Sequence, residues 1–164
     1  MTDTNSVVSV VGFVAVIATG MATGAMVGHA LLLGRFFTWV FESNRIEMFR
    51  ESYPLFMQTK RPQLFFDNLF TVALLVTIAD NVVLWFADRI AVLPVLAMGL
   101  QWLFVLAFFG SGFAALEGEL LTRGNITAER VQRFLSLNTR MTALSAILLL
   151  ASFACLALSA MPVS

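Results

Sequence analysis

Five polar side chains carry most of the chemistry that this sequence offers. His29 is its one histidine, and an imidazole can ligate a metal, carry a proton or hold a tetrapyrrole. Ala25, four residues earlier, leaves room for a flat ring above it. Asp67 and Glu117 are carboxylates at the edges of long apolar runs, and Asn138 and Arg140 enter the last such run together. One imidazole with two carboxylates is a donor set for iron, copper or zinc. His29, Asp67 and Glu117 are therefore the candidate metal ligands, and a transition metal is the candidate cofactor. Without a metal the same groups make a proton relay, in which burial raises the carboxylate pKa values and Arg140 lowers them. The set also reads without chemistry, as an interfacial hydrogen-bonded histidine, an aspartate favoured by a helix dipole and arginines snorkelling at a membrane boundary. No HExxH, Walker, GxSxG or dinucleotide-binding fingerprint accompanies it, and one histidine is too few for a histidine-rich di-metal membrane oxygenase.

Apolar segments must position these groups. Of the 164 residues, 59% are hydrophobic and 12% charged, and the mean hydropathy is +0.88. A soluble domain is nearer half apolar and a quarter charged, and one this small buries too small a share of its surface to hide the excess. Lipid is the solvent that such a chain requires. A spanning helix takes about 20 mostly apolar residues, and backbone groups in lipid must be satisfied within the segment. The runs 7–34, 64–86, 91–116 and 138–161 meet that length. They predict a single-domain, all-α integral membrane protein with four transmembrane helices in an antiparallel bundle. The formal charge of zero gives no footprint for nucleic acid, which leaves the bilayer as the expected partner. Cys155 stands alone, so neither an intrachain disulfide nor a CxxC pair exists. Residues 1–6 lack the basic stretch of a signal peptide, and the first run is expected as a retained helix.

The connections differ. Between the first two runs, Phe36, Phe37, Val40, Phe41, Ile46 and Phe49 recur at helical spacing among Glu42, Arg45, Glu47 and Arg50, predicting a helical extension or an interfacial amphipathic helix. Tyr53-Pro54 and Arg61-Pro62 are expected to break it. Residues 87–90 form a tight turn. In the third connection, Gly124-Asn125 marks a turn and Thr127 an N-cap with Glu129 in the first turn, so the fourth helix is expected to start near Ala128, ahead of its apolar part. Glu117 and Glu119 would close the third helix, against its dipole, where a cation should compensate. Five Lys and Arg residues lie in the first connection, four in the third and one, Arg89, in the second. By the positive-inside rule the protein is a multi-pass cell-membrane protein with both termini on the non-cytoplasmic side. That places His29, Asp67, Glu117 and Asn138 at the cytoplasmic helix ends, which a small bundle brings together.

Two further patterns need positions in this frame. Gly20, Gly24 and Gly28 form a GxxxGxxxG stripe suited to helix packing, either within the bundle or with a second copy or another membrane protein. Asp80 and Asn81 lie inside the second run and Gln101 inside the third. An acid at that depth costs about 3 kcal/mol on insertion scales, so Asp80 should face the bundle with Gln101 or Asn81 as partner. The alternative is a second helix ending near Ile78, with Asp80 interfacial.

The stretch Thr19-Gly-Met-Ala-Thr-Gly-Ala-Met-Val-Gly28, the later Tyr53-Pro54, and Phe134-Leu-Ser-Leu-Asn-Thr-Arg140 resemble the anthrone oxygenase-like family of small four-helix membrane proteins. The resemblance covers about a third of the chain and implies oxidation of a hydrophobic aromatic substrate by a cofactor-poor or metal-assisted route, with His29, Asn138 and Arg140 as the residues to test. Two functional classes follow: a small membrane oxidoreductase acting on a lipophilic substrate near the cytoplasmic helix ends, or a non-catalytic scaffold or complex subunit associating through its glycine stripe. Transport through Asp80, Asn81 and Gln101 is a third, for which four helices are few unless the chain multimerises.

Overall fold

The computed structural model describes residues 4–122 and 126–161; the Gly124-Asn125 turn and Arg123 fall outside the described residues. Four helices are long and apolar enough to cross a membrane, and they pack together as the composition demands. The first, α1 (Thr4–Glu42), has 39 residues. At 1.5 Å per residue it reaches about 58 Å, nearly twice the hydrocarbon thickness, so its last turns project beyond the apolar run as the predicted extension. Asn44, with φ of 53°, turns the chain into α2 (Ile46–Lys60), an amphipathic helix with Ile46, Phe49 and Met57 buried.

Pro54 does not break α2; it lies inside the helix, a correction to the expected stop. A proline there forfeits one backbone hydrogen bond. The aromatic face of α2 offsets it: Phe49 and Tyr53 stack with ring centroids 4.6 Å apart, and both rings meet Phe134. The second proline signal does stop the helix. Arg61 takes a left-handed conformation (φ 48°), and Pro62 opens α3 (Pro62–Phe86) in its first turn, where its missing N–H costs little. A tight turn through Asp88 (φ 53°) then leads into α4 (Val92–Gly110).

The expected third run, 91–116, is two helices. At Gly112 φ is +75°, a conformation that a residue without Cβ adopts freely, and the chain restarts as α5 (Phe113–Thr122). Glu117 and Glu119 therefore sit on a separate short helix. The last element, α6 (Ala128–Ser159), starts where its cap signal predicts: Arg130 N donates to the Thr127 hydroxyl at 3.4 Å.

The four long helices form the bundle, with α6 at its centre, packed along both α1 and α4, while α3 packs on α1. Its buried face alternates Leu149 and Leu156 with the small Ser145, Ala146 and Ser152. Leu32, Phe86, Val92 and Phe109 are among the large apolar side chains exposed on the other helices, as lipid-facing positions should be. At one end α2 and α5 close over the bundle around an aromatic core of Phe37, Phe49, Phe113 and Phe134.

Candidate functional site

Beneath α2 and α5 lies a cavity of about 480 Å³, which every helix helps to line. From α1 come His29, Leu33 and Phe36, from α2 Phe49 and Tyr53, and from α3 Gln63, Phe66 and Asp67. Helix α4 supplies Phe104 and Phe108, α5 supplies Phe113 and Glu117, and α6 supplies Asn138, Thr142 and Ser145. Four of the five residues singled out for chemistry thus share one wall system. Each comes from the end of its apolar segment, and the bundle gathers those ends.

Arg140 does not join them. It is exposed and absent from the cavity wall. It lies two positions beyond Asn138, about 200° around a helix, so the two side chains cannot face the same way. Asn138 is buried, and its Oδ1 accepts a hydrogen bond from Thr142 Oγ1 at 2.9 Å. The compensating cation belongs instead to Glu119, paired with Arg130 at 3.2 Å. Nor are His29, Asp67 and Glu117 drawn together as metal ligands: among the described residues no three His, Cys, Asp or Glu side chains gather as a group able to hold an ion.

Glu117 and Tyr53 face one another, the phenol donating to Glu117 Oε1 at 3.5 Å. Burial pushes the Glu117 carboxyl above its ordinary range, the negative charge of Asp67 pushes it further, and the Tyr53 hydrogen bond pulls part of the way back. The Tyr53 phenol is raised as well, first by burial and then by Glu117. His29 meets Phe66 edge-on, with centroids 4.9 Å apart and an interplanar angle of 88°. Its Nδ1 is buried and has no hydrogen-bond partner, and the same holds for Gln63 Oε1. Two cavity residues therefore carry polar atoms that the protein leaves unmatched. Tyr53 and Gln63 were missed from sequence. Tyr53 is the chain's one tyrosine on an amphipathic segment, which was a usable signal; Gln63 gave none.

The intramembrane polar residues lie elsewhere and pair differently from expectation. Helix α3 continues to Phe86, so Asp80 is inside it, 3% exposed. It faces α1: a Cβ on Gly12 would come within 3.3 Å of its Oδ1. Neither Gln101 nor Asn81 bonds to it. Asn81, one residue on and about 100° around the helix, donates to Pro94 O of α4 at 3.1 Å. Gln101 instead meets the side chain three residues before Asp80. Its amide donates to Thr77 Oγ1 at 3.1 Å and Ser152 Oγ at 3.0 Å, with Thr19 Oγ1 at 3.4 Å, joining all four spans. Of the glycine stripe, Gly20 lets the Phe153 ring approach to 3.0 Å from where its Cβ would be, whereas Gly24 and Gly28 have nothing within 4 Å.

No protein-family model, curated protein or solved structure matches this chain, so its function is read from the cavity itself.

Proposed function

We propose that this polytopic membrane protein takes a lipophilic molecule into the aromatic cavity and exchanges a proton with it through His29. The buried, unmatched His29 Nδ1 on a wall rich in aromatic rings carries this reading. Leaving such a group unsatisfied costs about 1–3 kcal/mol, which a polar group on a bound molecule recovers. Leu33, Phe36 and Phe56 line the cavity and are also exposed, so entry runs through apolar surface, as it would for a molecule dissolved in the bilayer. Oxidation of a hydrophobic aromatic substrate, the activity that the anthrone oxygenase-like resemblance implies, fits this chemistry. Proton loss from an activated methylene to His29 leaves a carbanion paired with the new imidazolium, so the cavity gains no net charge, and dioxygen oxidises it: the carbon loses two hydrogens and gains one oxygen atom, and the other oxygen leaves as water. Among the described residues no three His, Cys, Asp or Glu side chains gather, and no step is assigned to a metal. Five basic residues in the first connection against one in the second support a cytoplasmic position for this end of the bundle.

The test is binding of 2-naphthalenemethanol to the protein in detergent, read by the anisotropy of its own fluorescence. Its hydroxyl should engage Nδ1, and His29→Ala should weaken binding by about tenfold, the worth of one buried hydrogen bond. Equal affinity for both proteins would remove His29 from the site. A second reading, self-association, is favoured by the open Gly24 and Gly28. It requires an oligomer in mild detergent that Gly24→Leu converts to monomer; a monomer in both forms ends it.

A further inference from the structure

The proposal that a lipophilic molecule occupies the cavity leaves its charge open, and the lining decides between the possibilities. Eight phenylalanine rings and Tyr53 line the wall. Aromatic faces carry negative electrostatic potential and attract cations that approach within about 6 Å. Two carboxylates, Asp67 and Glu117, lie in the same wall, and no lysine or arginine does. Among the neighbouring basic residues, Arg50 pairs with Glu47 at 2.7 Å and Arg130 with Glu119, while Arg35, Lys60, Arg61 and Arg140 are exposed and do not line the cavity. The unmatched Gln63 Oε1 adds a buried acceptor. The wall is thus rich in acceptors and negative potential and lacks a resident cation.

We infer that the cavity selects lipophilic organic cations, amines or quaternary ammonium compounds with an aromatic or bulky apolar body. The ammonium lies among the ring faces near Glu117 and Asp67, with an N–H directed to Gln63 Oε1 where the amine carries one, and the apolar body fills the space beneath α2. Burial first and then repulsion from Asp67 hold Glu117 above its ordinary range, and such a ligand removes the repulsion. A neutral ligand of the same shape leaves that repulsion in place, and an anion adds to it. The inference rests on the reading that a lipophilic molecule enters this cavity.

Three probes of one shape distinguish them: 2-naphthylmethylammonium, 2-naphthalenemethanol and 2-naphthoate, each titrated into the full chain in detergent at neutral pH. The ammonium should bind about tenfold or more tightly than the alcohol, as expected for one ion pair in a partly buried site, and the carboxylate most weakly. Glu117→Gln should abolish the preference for the ammonium over the alcohol. Asp67→Asn should do part of the same, and it serves as the second variant if Glu117→Gln does not fold. If the alcohol binds and the ammonium gains nothing over it, or if neither variant moves the ratio, the cation assignment falls and the cavity reading stands. If none of the three probes binds, both fall.

Discussion

At Glu117 the surroundings oppose ionisation from two sides, burial and the neighbouring Asp67 charge, and the Tyr53 hydroxyl answers only part of that opposition. The consequence for stability has a definite sign. Below the ordinary glutamate value of 4.5 both the folded and the unfolded chain hold the proton, and the group's contribution is fully present. As pH rises past that value the unfolded chain ionises while folded Glu117 resists, so stability is lost through the window up to its raised pKa. Glu117→Gln keeps an oxygen for Tyr53 and removes the titration. The variant should melt higher than the parent at neutral pH and at the same temperature near pH 4, about where the glutamate is protonated in both states. An unchanged difference across that range would mean that Glu117 is already ionised in the fold. His29 belongs to the same scale: its ring is fixed edge-on to Phe66, yet Nδ1 has no partner, so its substitution should affect ligand affinity more than the fold.

Where the four spans meet, a polar node has asymmetric bookkeeping. Thr77 Oγ1 donates to Ala73 O at 2.8 Å and Ser152 Oγ to Ala97 O at 3.1 Å. Both hydroxyl protons are therefore satisfied without Gln101, which only donates to them, and its own Oε1 is buried without a partner. Gln101→Leu removes that orphan and strands no donor. The stability change should stay within about 1 kcal/mol in either direction, measured by thermal unfolding in detergent. A loss of several kcal/mol would show that the amide, rather than the packing around it, joins the spans. The same scale explains the two local surprises. Pro54 is tolerated because the aromatic face of α2 is committed to Phe134, and the third run divides because Gly112 takes the left-handed conformation that turns α5 over the cavity.

For the whole molecule, the long helices place α2 and α5 at one end of the bundle and the Asp88 turn at the other. Basic residues favour the first end on the inner side. In a Cys155→Ala background, a membrane-impermeant maleimide applied to intact cells should modify Asp88→Cys and spare Ser43→Cys, both positions being exposed. Labelling of Ser43→Cys alone would invert the orientation and place the cavity at the outer face.

The long apolar runs, the Thr127 cap and the Arg61-Pro62 break could be read from the sequence, because each is a local consequence of composition or of backbone chemistry within a few residues. That His29, Asp67, Glu117 and Asn138 lie at one end of the bundle was also readable, since four antiparallel segments leave little choice about which ends meet. What only the packed structure decided was direction around each helix. Two residues of separation turn Arg140 away from Asn138, and one residue sends Asp80 toward Gly12 while Asn81 reaches α4. Without knowledge of the neighbours, a helix gives every face an equal claim on the interior. The neighbours are chosen by the summed contacts of all the helices together, and no single segment encodes that sum.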